Sequence, residues 1–299
     1  MPKPVIAVFG THGALGKPTL DALISSTFSF KVSLPIRAIT RDPSQYTSND
    51  QVKYYKADAA DIDSFKDALT GVNVLINLGG TADPQHFDAP LDGLLKFAKS
   101  TVKLYIPSQF GTELDVVDLP GFLDVKTKHS DKARAAGLKT VDVITSLFFS
   151  PGSFLYERVL GLDSSTNTAV VRGDKDTKFD VSYLGDIGKA LAAIVTFGNL
   201  GELPDKIRIS SDRITNDQAL NNYEKIHGVK ITREYVSKAD TYKKAHELYD
   251  AGFSFKDFSF YLQYFVSEGD DKGVAFSNNE DELVNPGESL FKWTKFGSI

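Results

Sequence analysis

A glycine loop that directly follows a short apolar run constrains this chain more than any other feature. The run Val5–Phe9 is continuously apolar, which is typical of a strand buried on both faces of a sheet. The loop reads Gly10-Thr11-His12-Gly13-Ala14-Leu15-Gly16, and apolar residues then recur at helical spacing over 14–24. The first turn of such a helix offers unpaired N–H groups to an anion, so the unit predicts dinucleotide binding. A glycine-rich turn that binds nothing is the alternative.

The same strand and helix pattern recurs along the first half of the chain. Apolar runs predict further strands at 34–40, 52–55, 74–78, 102–106 and 141–145, and helical spacing predicts helices at 62–69, 89–99 and 125–136. Alternation on this scale indicates a parallel sheet. Right-handed crossovers between its strands then place helices on both faces. The predicted fold class is α/β, a doubly wound parallel (Rossmann) sheet, with ligands expected at the carboxyl ends of its strands.

The pattern loosens beyond residue 148. Short strands are predicted at 169–171 and 179–183 and an apolar helix at 187–195, and Thr215 with Gln218 has the capping-box spacing of a helix that runs to about residue 227. Residues 242–265 are dense in Phe and Tyr, which predicts either a packed helical core or a lid over a substrate. We expect a dinucleotide-binding domain over 1–150, to which later elements return, and a smaller, mainly helical substrate-binding part over 151–299.

Charge and composition argue against several classes of protein. Lys and Arg number 34 against 39 Asp and Glu, a net charge of −5, so nucleic-acid binding is not expected. The 299 residues include no cysteine, which fits a reducing compartment, and the cytoplasm is the expected location. No apolar run reaches the ~18 residues of a membrane helix, so we expect no membrane span. No pair of histidines has zinc-ligand spacing with a carboxylate partner, so we expect no metal.

The residues after the second strand bear on the choice between NAD and NADP. An acidic residue there accepts a hydrogen bond from the ribose 2′-hydroxyl of NAD, whereas an arginine pairs with the 2′-phosphate of NADP. This chain has Arg41 directly after the strand and Asp42 next. Arg41 therefore favours NADP(H). The alternative is a solvated arginine paired with Asp42.

Several segments, taken in order, resemble one family. They are GTHGALG, IRAITRDP, YKADAADIDSFKDALTGVNVLINLGG, IPSQFG, GDKDTKFDVSYLGDIGKALAAIV and the segment around IRISSDRIT. The set resembles the NmrA-like and isoflavone-reductase-like branch of the atypical short-chain dehydrogenases. The resemblance implies a Rossmann-type domain that binds NADP(H) and a smaller part that closes a substrate pocket. It places the cofactor on the glycine loop, on Arg41 and on Gly79 and Gly80, which end the third segment.

The resemblance also implies a catalytic residue. Reductases of this branch carry a lysine at the start of the helix after the IPSQFG-like loop, and the match places Lys126 at that position. Ordinary short-chain dehydrogenases use Tyr-x-x-x-Lys, and no tyrosine here has a lysine four residues later. A lysine partly removed from water near a cationic nicotinamide would have a depressed pKa and could exchange a proton with a substrate oxygen. The alternative is a solvent-facing helix lysine.

The sequence departs from the family pattern at several positions. His12 stands for the usual threonine of the loop, Gln109 for a glutamate, and Ser130 for an arginine that plant reductases of the branch often carry. Ser44, Gln45 and Tyr46 occupy the region where a further basic residue is often found, which weakens the preference for NADP. His129, three residues after Lys126, is interpreted as a surface histidine rather than a second proton carrier.

Two functions of different classes remain open. The first is an NADPH-dependent reductase of a small aromatic or carbonyl compound, favoured by Lys126 and the aromatic stretch. The second is a non-catalytic sensor of NAD(P), like NmrA itself, that acts through a regulatory protein partner. The lost glutamate and arginine favour the sensor. Substrate identity is not predicted in either case.

Overall fold

The structure, a computed structural model, describes residues 3–80, 84–150 and 155–298. Its first half is a five-stranded parallel sheet in the order β3-β2-β1-β4-β5. The strands are β1 (Val5–Phe9), β2 (Ser33–Thr40), β3 (Val52–Lys56), β4 (Val74–Asn77) and β5 (Leu104–Ile106). The helices between them are α1 (Gly16–Leu23), α2 (Lys66–Leu69, preceded by the 3-10 turn Ile62–Phe65) and α3 (Ala89–Phe97). The predicted α/β class, a parallel Rossmann-type sheet, is confirmed.

The strand order places a topological switch between β1 and β4. The chain runs outward from β1 to β2 and β3, then returns to pair β4 with the other side of β1. Open α/β sheets bind ligands at the carboxyl ends of the two strands that flank such a switch. In this chain those ends are Gly10, after β1, and the segment from Leu78 to Gly80, after β4.

Two further strands continue the sheet beyond β5. Helix α4 (Asp124–Ala135) precedes β6 (Asp142–Ile144), and a single parallel bridge joins Tyr105 of β5 to Thr140 just before β6. Strand β11 (Lys206–Arg208) pairs in parallel with β6. A segment more than 60 residues further along the chain therefore returns to the edge of the N-terminal sheet, between the flanking helices.

The remaining elements combine short strands with longer helices. Strand β10 (Lys178–Tyr183) pairs in parallel with β7 (Leu147–Phe149) and antiparallel with β12 (Asp212–Thr215). A second ladder joins β8 (Leu162–Asp163), β9 (Thr168–Arg172) and β13 (Thr232–Val236). The helices are α5 (Leu184–Val195), α6 (Asn216–His227), α7 (Lys238–Asp250), α8 (Phe258–Glu268) and α9 (Asp281–Val284). Leu155–Val159 forms one π-helical turn.

Each face of the N-terminal sheet is covered by its own apolar layer. Helices α1 and α5 cover one face with side chains such as Leu23, Ile187 and Leu191, which are fully buried against Ile6 and Val8. Helices α2 and α3 cover the other face through Phe65, Leu69 and Leu94. A third cluster, built on Phe179, Tyr261 and Phe265, forms the core of the C-terminal elements. Strands buried on both faces explain the continuous apolar runs of the sequence.

Several local predictions can be compared with these elements. Helix α1 begins at Gly16, two residues later than predicted, because the loop makes two tight turns first, with Gly13 N–H bonded to Gly10 O and Gly16 N–H bonded to Gly13 O. The capping box is confirmed: Thr215 and Gln218 bond reciprocally at the start of α6. The division into parts at 1–150 and 151–299 stays a prediction.

Within the described segments, no helix is both long and apolar enough to cross a bilayer. The cytoplasmic location stays a prediction.

Candidate functional site

A cleft of about 340 Å³ opens at the switch between β1 and β4. Six of the residues predicted to bind the cofactor line it: Gly10, His12, Gly13, Arg41, Gly79 and Gly80. The other predicted residues do not line it. Thr11, Leu15 and Gly16 are buried, Leu15 in the core under α1, and Ala14 is exposed outside the cleft. The predicted residues thus include six that lie together at one cleft, and their binding of a cofactor stays a prediction.

The three glycines of the loop serve different geometries. Gly10 has φ +85°, and a Cβ there would lie 2.8 Å from the backbone carbon of Leu78. A Cβ on Gly16 would lie 2.1 Å from the carbonyl oxygen of Thr11, so this glycine lets α1 approach its own loop. A Cβ on Gly13 would meet only the Gly10 oxygen, at 3.5 Å. Gly13 therefore borders open space that a ligand can occupy. The packing of the protein alone does not require a glycine at this position.

Two polar groups in this region lack a partner within the described chain. The buried hydroxyl of Thr11 makes no hydrogen bond. The exposed Arg41 at the rim of the cleft makes no hydrogen bond or ion pair with the residues that the structure describes. A pyrophosphate at the loop and a phosphate at the rim would supply partners of the kind these groups require.

Asp42 is held away from Arg41, contrary to the alternative pairing. Its carboxylate accepts from the backbone N–H and the hydroxyl of Ser44, at 3.0 and 2.6 Å, and from the side-chain amide of Gln45 at 3.0 Å. These hydrogen bonds hold the pKa of Asp42 below its usual range. No Asp or Glu is among the described residues that line the cleft. Among the described lining residues, none therefore supplies the carboxylate that NAD-binding domains direct at the ribose.

His12 forms a bridge across the rim that the sequence did not predict. Its Nε2 contacts the hydroxyl of Thr40, and its Nδ1 lies 2.6 Å from the hydroxyl of Tyr46. Tyr46 stacks on Tyr54, with ring centroids 4.6 Å apart. The two departures at His12 and Tyr46 therefore interact with each other and brace the loop against β2 and β3.

Lys126 lies at a second cavity, of about 200 Å³, lined by residues that follow β5 and β6 and by the first residues of β7. Its lining is mostly apolar and includes Phe110, Phe122, Phe148, Phe258 and Leu262. The ammonium donates to the carbonyl of Phe110 at 3.2 Å. The lysine is half-buried, unlike the solvent-facing alternative. Among the described residues the two cavities share no lining residue, and both border carboxyl ends of neighbouring strands.

The surroundings of Lys126 disfavour its charge. Removal from water lowers the pKa of Lys126 to about 8, against an opposing attraction from Asp142. Asp142 is itself bonded to Arg134 at 2.7 Å and to the Ser130 hydroxyl at 2.8 Å, so it is not a dedicated partner of the lysine. An amine with this pKa exists in both protonation states close to neutral pH, as a proton carrier must.

Backbone strain occurs at the same cavity. Leu123, directly before α4, has φ +49°, and Ser146, between β6 and β7, has φ +52°. Both line the cavity. A left-handed conformation in a non-glycine residue costs of order 1 kcal/mol and recurs at functional sites. The Ser146 hydroxyl donates to the carbonyls of Asp180 and Val274, which anchors that turn.

Gln109 and Ser130, the two departures near Lys126, form one network. The Gln109 amide donates to the carbonyl of Lys126 and to the hydroxyl of Ser130, both at 2.6 Å. The Ser130 hydroxyl then donates to Asp142. A glutamate at position 109 could not donate these bonds when ionised. Gln109 and Ser130 therefore fix the first turn of α4, on which Lys126 lies, through a network that ends at the Asp142 carboxylate.

The interpretation of His129 as a surface residue is wrong. The residue is 2% exposed, and its ring contacts Asp88, Tyr105 and Phe87. No sequence pattern signals this burial, because α4 is polar along most of its length and its inward side includes His129 and Ser130.

The packed core predicted for the aromatic stretch is confirmed for part of it, and the lid over a substrate stays a prediction. Tyr261, Tyr264 and Phe265 are fully buried in the C-terminal core, whereas Phe258 and Leu262 line the Lys126 cavity. Phe253 and Phe255 are exposed beside Phe258.

In the segments described, no group of three or more His, Asp or Glu is suited to hold a metal ion.

Comparison with known proteins bears on the fold and family. The model of the NmrA-like family matches residues 2–272. The fold is similar to a crystal structure of isoflavone reductase, with 18% identity, TM-score 0.66 and coverage of 88% of this chain and 87% of that one. It is similar to triphenylmethane reductase of Citrobacter sp. complexed with NADP(H), with 17% identity, TM-score 0.66 and coverage of 94% and 95%.

A third solved structure with a similar fold is described as a different kind of enzyme. It is a nucleoside-diphosphate-sugar epimerase from Staphylococcus aureus, with 15% identity, TM-score 0.69 and coverage of 98% of each chain. No curated protein matches the sequence at a significant level. At these identities the structural matches establish the fold alone.

Proposed function

Because the chain belongs to the NmrA-like family, we propose that it is an NADPH-dependent reductase of a small aromatic or carbonyl compound, with Lys126 as its acid/base. One observation carries the proposal: a half-buried lysine with a pKa of about 8 lies at an apolar cavity beside the carboxyl edge of a Rossmann sheet. The distant structural neighbours include leucoanthocyanidin reductase in a binary complex with NADPH and triphenylmethane reductase in complex with NADP(H).

The residues at the first cleft fit a bound NADP(H). The open face of Gly13 and the unpartnered hydroxyl of Thr11 suit a pyrophosphate, and Arg41 suits a 2′-phosphate. Gly79 and Gly80 border the same cleft. Because the lining described has no carboxylate, we propose that NADPH is preferred over NADH.

Bound NADPH would supply a hydride to a carbon atom of the substrate. Lys126 in its ammonium form would donate a proton to the adjacent oxygen, and the neutral amine would regain a proton from water. The Phe110 carbonyl holds the ammonium in place through a single hydrogen bond, so the remaining N–H groups can reach a substrate. The apolar walls exclude water from the reacting groups.

The walls of the cavity also support the proposed substrate class. Four phenylalanines line it, and aromatic rings pack well against flat aromatic ligands. Apart from Lys126, none of the described residues in its lining has a charged side chain. A neutral aromatic compound with one carbonyl or phenolic oxygen fits this chemistry better than a charged metabolite.

The test follows the loss of NADPH absorbance with a panel of aromatic enones, quinones and benzylic ethers. With an accepted substrate, Lys126→Ala should lower turnover by ~10²–10⁴-fold and leave the Kd of NADPH within a small factor. Lys126→Arg should fail similarly, because a guanidinium stays protonated. Lys128→Ala, an exposed lysine of the same helix, is the matched control and should retain full turnover. Turnover by Lys126→Ala at the rate of the unmodified protein would refute the mechanism.

A panel without turnover, together with tight binding of NADPH, would favour the non-catalytic sensor. Its regulatory partner should then be captured in a cofactor-dependent manner.

A further inference from the structure

A buried chain of side chains connects α4 to the dinucleotide cleft. The Gly79 N–H lies 2.9 Å from Oδ1 of Asn77, and Nδ2 of Asn77 lies 3.0 Å from the hydroxyl of Tyr105. That hydroxyl lies 2.6 Å from Nε2 of His129, whose Nδ1 lies 2.5 Å from Asp88. Asn77, Tyr105 and His129 are each at most 2% exposed. The chain ends at the surface, where Lys132 bonds to Asp88 at 2.8 Å.

The chemistry of the two ends fixes the direction of every hydrogen bond between them. Burial alone would raise the pKa of Asp88, but hydrogen bonds from Lys132 and His129 hold this pKa below its usual range. The Asp88 carboxylate therefore only accepts hydrogen bonds. His129 must therefore carry its proton on Nδ1, which leaves Nε2 to accept from Tyr105. The Tyr105 oxygen can then accept from the Asn77 amide nitrogen. That orientation of Asn77 presents its oxygen to the Gly79 N–H.

We propose that Asp88, His129, Tyr105 and Asn77 act together as a positioning relay that holds the Gly79 backbone in the geometry that binds the cofactor. None of Asp88, His129 and Tyr105 lies in the lining of the cleft, whereas Asn77, Gly79 and Gly80 do. The inference rests on the proposed binding of NADP(H) at this cleft. It concerns residues that act through Gly79, not residues that react.

The relay has a consequence at acid pH. A doubly protonated His129 would donate from Nε2 toward Tyr105, which would then have to donate toward Asn77. Asn77 presents its amide nitrogen, a donor, to the Tyr105 hydroxyl. The Asn77 amide would therefore have to flip, which would move its oxygen away from the Gly79 N–H. The charged groups that face the ring are Asp88 and Asp92 from the side of α3 and Lys132 from α4, with Tyr105 on β5. Burial lowers the pKa of His129, against the attraction of Asp88, so the loss is expected below the usual histidine range.

The first experiment compares Tyr105→Phe with the unmodified protein, without cofactor and with NADPH. Amide exchange at Gly79, followed by NMR on the cofactor-free protein, should become faster in Tyr105→Phe. The Kd of NADPH should rise about fivefold or more at about pH 8. The matched control is Tyr264→Phe, which removes another fully buried tyrosine hydroxyl, one without a hydrogen-bond partner among the residues that the structure describes. It should change neither measurement.

The pH dependence separates positioning from ordinary stabilisation. The ratio of the two Kd values, Tyr105→Phe over unmodified, should fall from about five at about pH 8 toward one as the pH is lowered below the usual histidine range, because acid breaks the relay in the unmodified protein as well. Other pH-dependent contributions to NADPH binding, including that of its phosphate, affect both proteins and cancel in the ratio. His129→Gln, which keeps an acceptor for Tyr105, should retain Gly79 protection, and His129→Leu should lose it. This pair carries the test if Tyr105→Phe does not fold.

The outcomes distinguish the two proposals. Absence of NADPH binding by the unmodified protein would contradict the proposed function, and Gly79 exchange would still test the relay. Unchanged Gly79 exchange and NADPH affinity in folded Tyr105→Phe, or a ratio that does not vary with pH, would overturn the relay.

Discussion

Lys126 determines the pH range in which the proposed reduction can run. As the proton donor it must be an ammonium, and its pKa is about 8. We expect kcat/KM for reduction to be level below about pH 8 and to fall tenfold per pH unit above it. Lys126→Ala should lack this limb of the profile. A level profile through this range in the unmodified protein would contradict the assignment.

The same lysine should reduce the stability of the fold. Its folded-state pKa lies below the usual value, so the unfolded chain binds more protons between about pH 8 and pH 10.5, and stability rises with pH across this window. The cost of the buried charge is therefore fully present below about pH 8. Lys126→Met should raise the melting temperature at about pH 7, and the gain should shrink as the pH rises toward 10.5. An equal gain at all pH values would show that the charge is not its cause.

Arg41 should decide between the two nicotinamide cofactors. Loss of its charge-assisted contact with a 2′-phosphate is expected to cost about 1.5–3 kcal/mol, so Arg41→Ala should raise the Kd of NADPH roughly ten- to a hundredfold. The Kd of NADH should change little. Lys99→Ala removes an equal charge at an exposed position away from the cleft and serves as the control. Calorimetry that gives equal Kd values for NADPH and NADH in the unmodified protein would contradict this prediction.

Individual residues differ in how far the sequence could predict them. The position of Lys126 followed from an ordered set of motifs, and Arg41 from its place directly after β2. The bridge from His12 to Tyr46 and the relay through His129 could not be predicted. Both join residues that lie 24 or more positions apart, and their polar side chains carry no periodic signal. Only the folded arrangement shows that these polar groups satisfy one another.

At the scale of elements, the glycine loop offers two substitutions with opposite expected effects. Gly13→Val places its side chain in open space, so the melting temperature should stay near that of the unmodified protein while the shift induced by NADPH is lost. Gly16→Ala drives a Cβ against the Thr11 carbonyl, so it should lower the melting temperature. A preserved NADPH-induced shift in Gly13→Val would show that the loop does not hold the phosphates.

Most elements of the first half were predictable because β1, β4 and β5 are largely or fully buried and the helices α1, α2 and α3 alternate with strands. Those of the second half were not. Strand β11 is three residues long and polar at both ends, and β13 is mostly exposed, so neither has an apolar pattern. Their partners, β6 and β9, lie more than 60 residues away in sequence. The pairing of such strands depends on long-range packing, which local patterns do not report.

At the scale of the whole molecule, the contact between α1 and α5 joins the early and late parts of the chain. Helix α5 packs on α1, and a Cβ on Gly188 would lie 2.3 Å from the carbonyl oxygen of Pro18. Because the obstacle is backbone, the two helices would have to separate to admit a side chain. Helix α1 also begins at the end of the glycine loop, so its contact with α5 helps to fix the position of the loop at the cleft.

Gly188→Ala should therefore lower the free energy of unfolding by about 1–3 kcal/mol, as overpacking of a core does. An alanine within a helix would by itself add about 1 kcal/mol of stability through its higher helix propensity, so a net loss identifies the helix contact as the cause. Gly198→Ala is the control, since a Cβ there meets nothing within 4 Å, and its effect should stay within about 0.5 kcal/mol. Urea unfolding measures both. Equal stability of the two variants would show that α1 and α5 are not held in close contact. Because α1 would be displaced in Gly188→Ala, the affinity of this variant for NADPH should also fall.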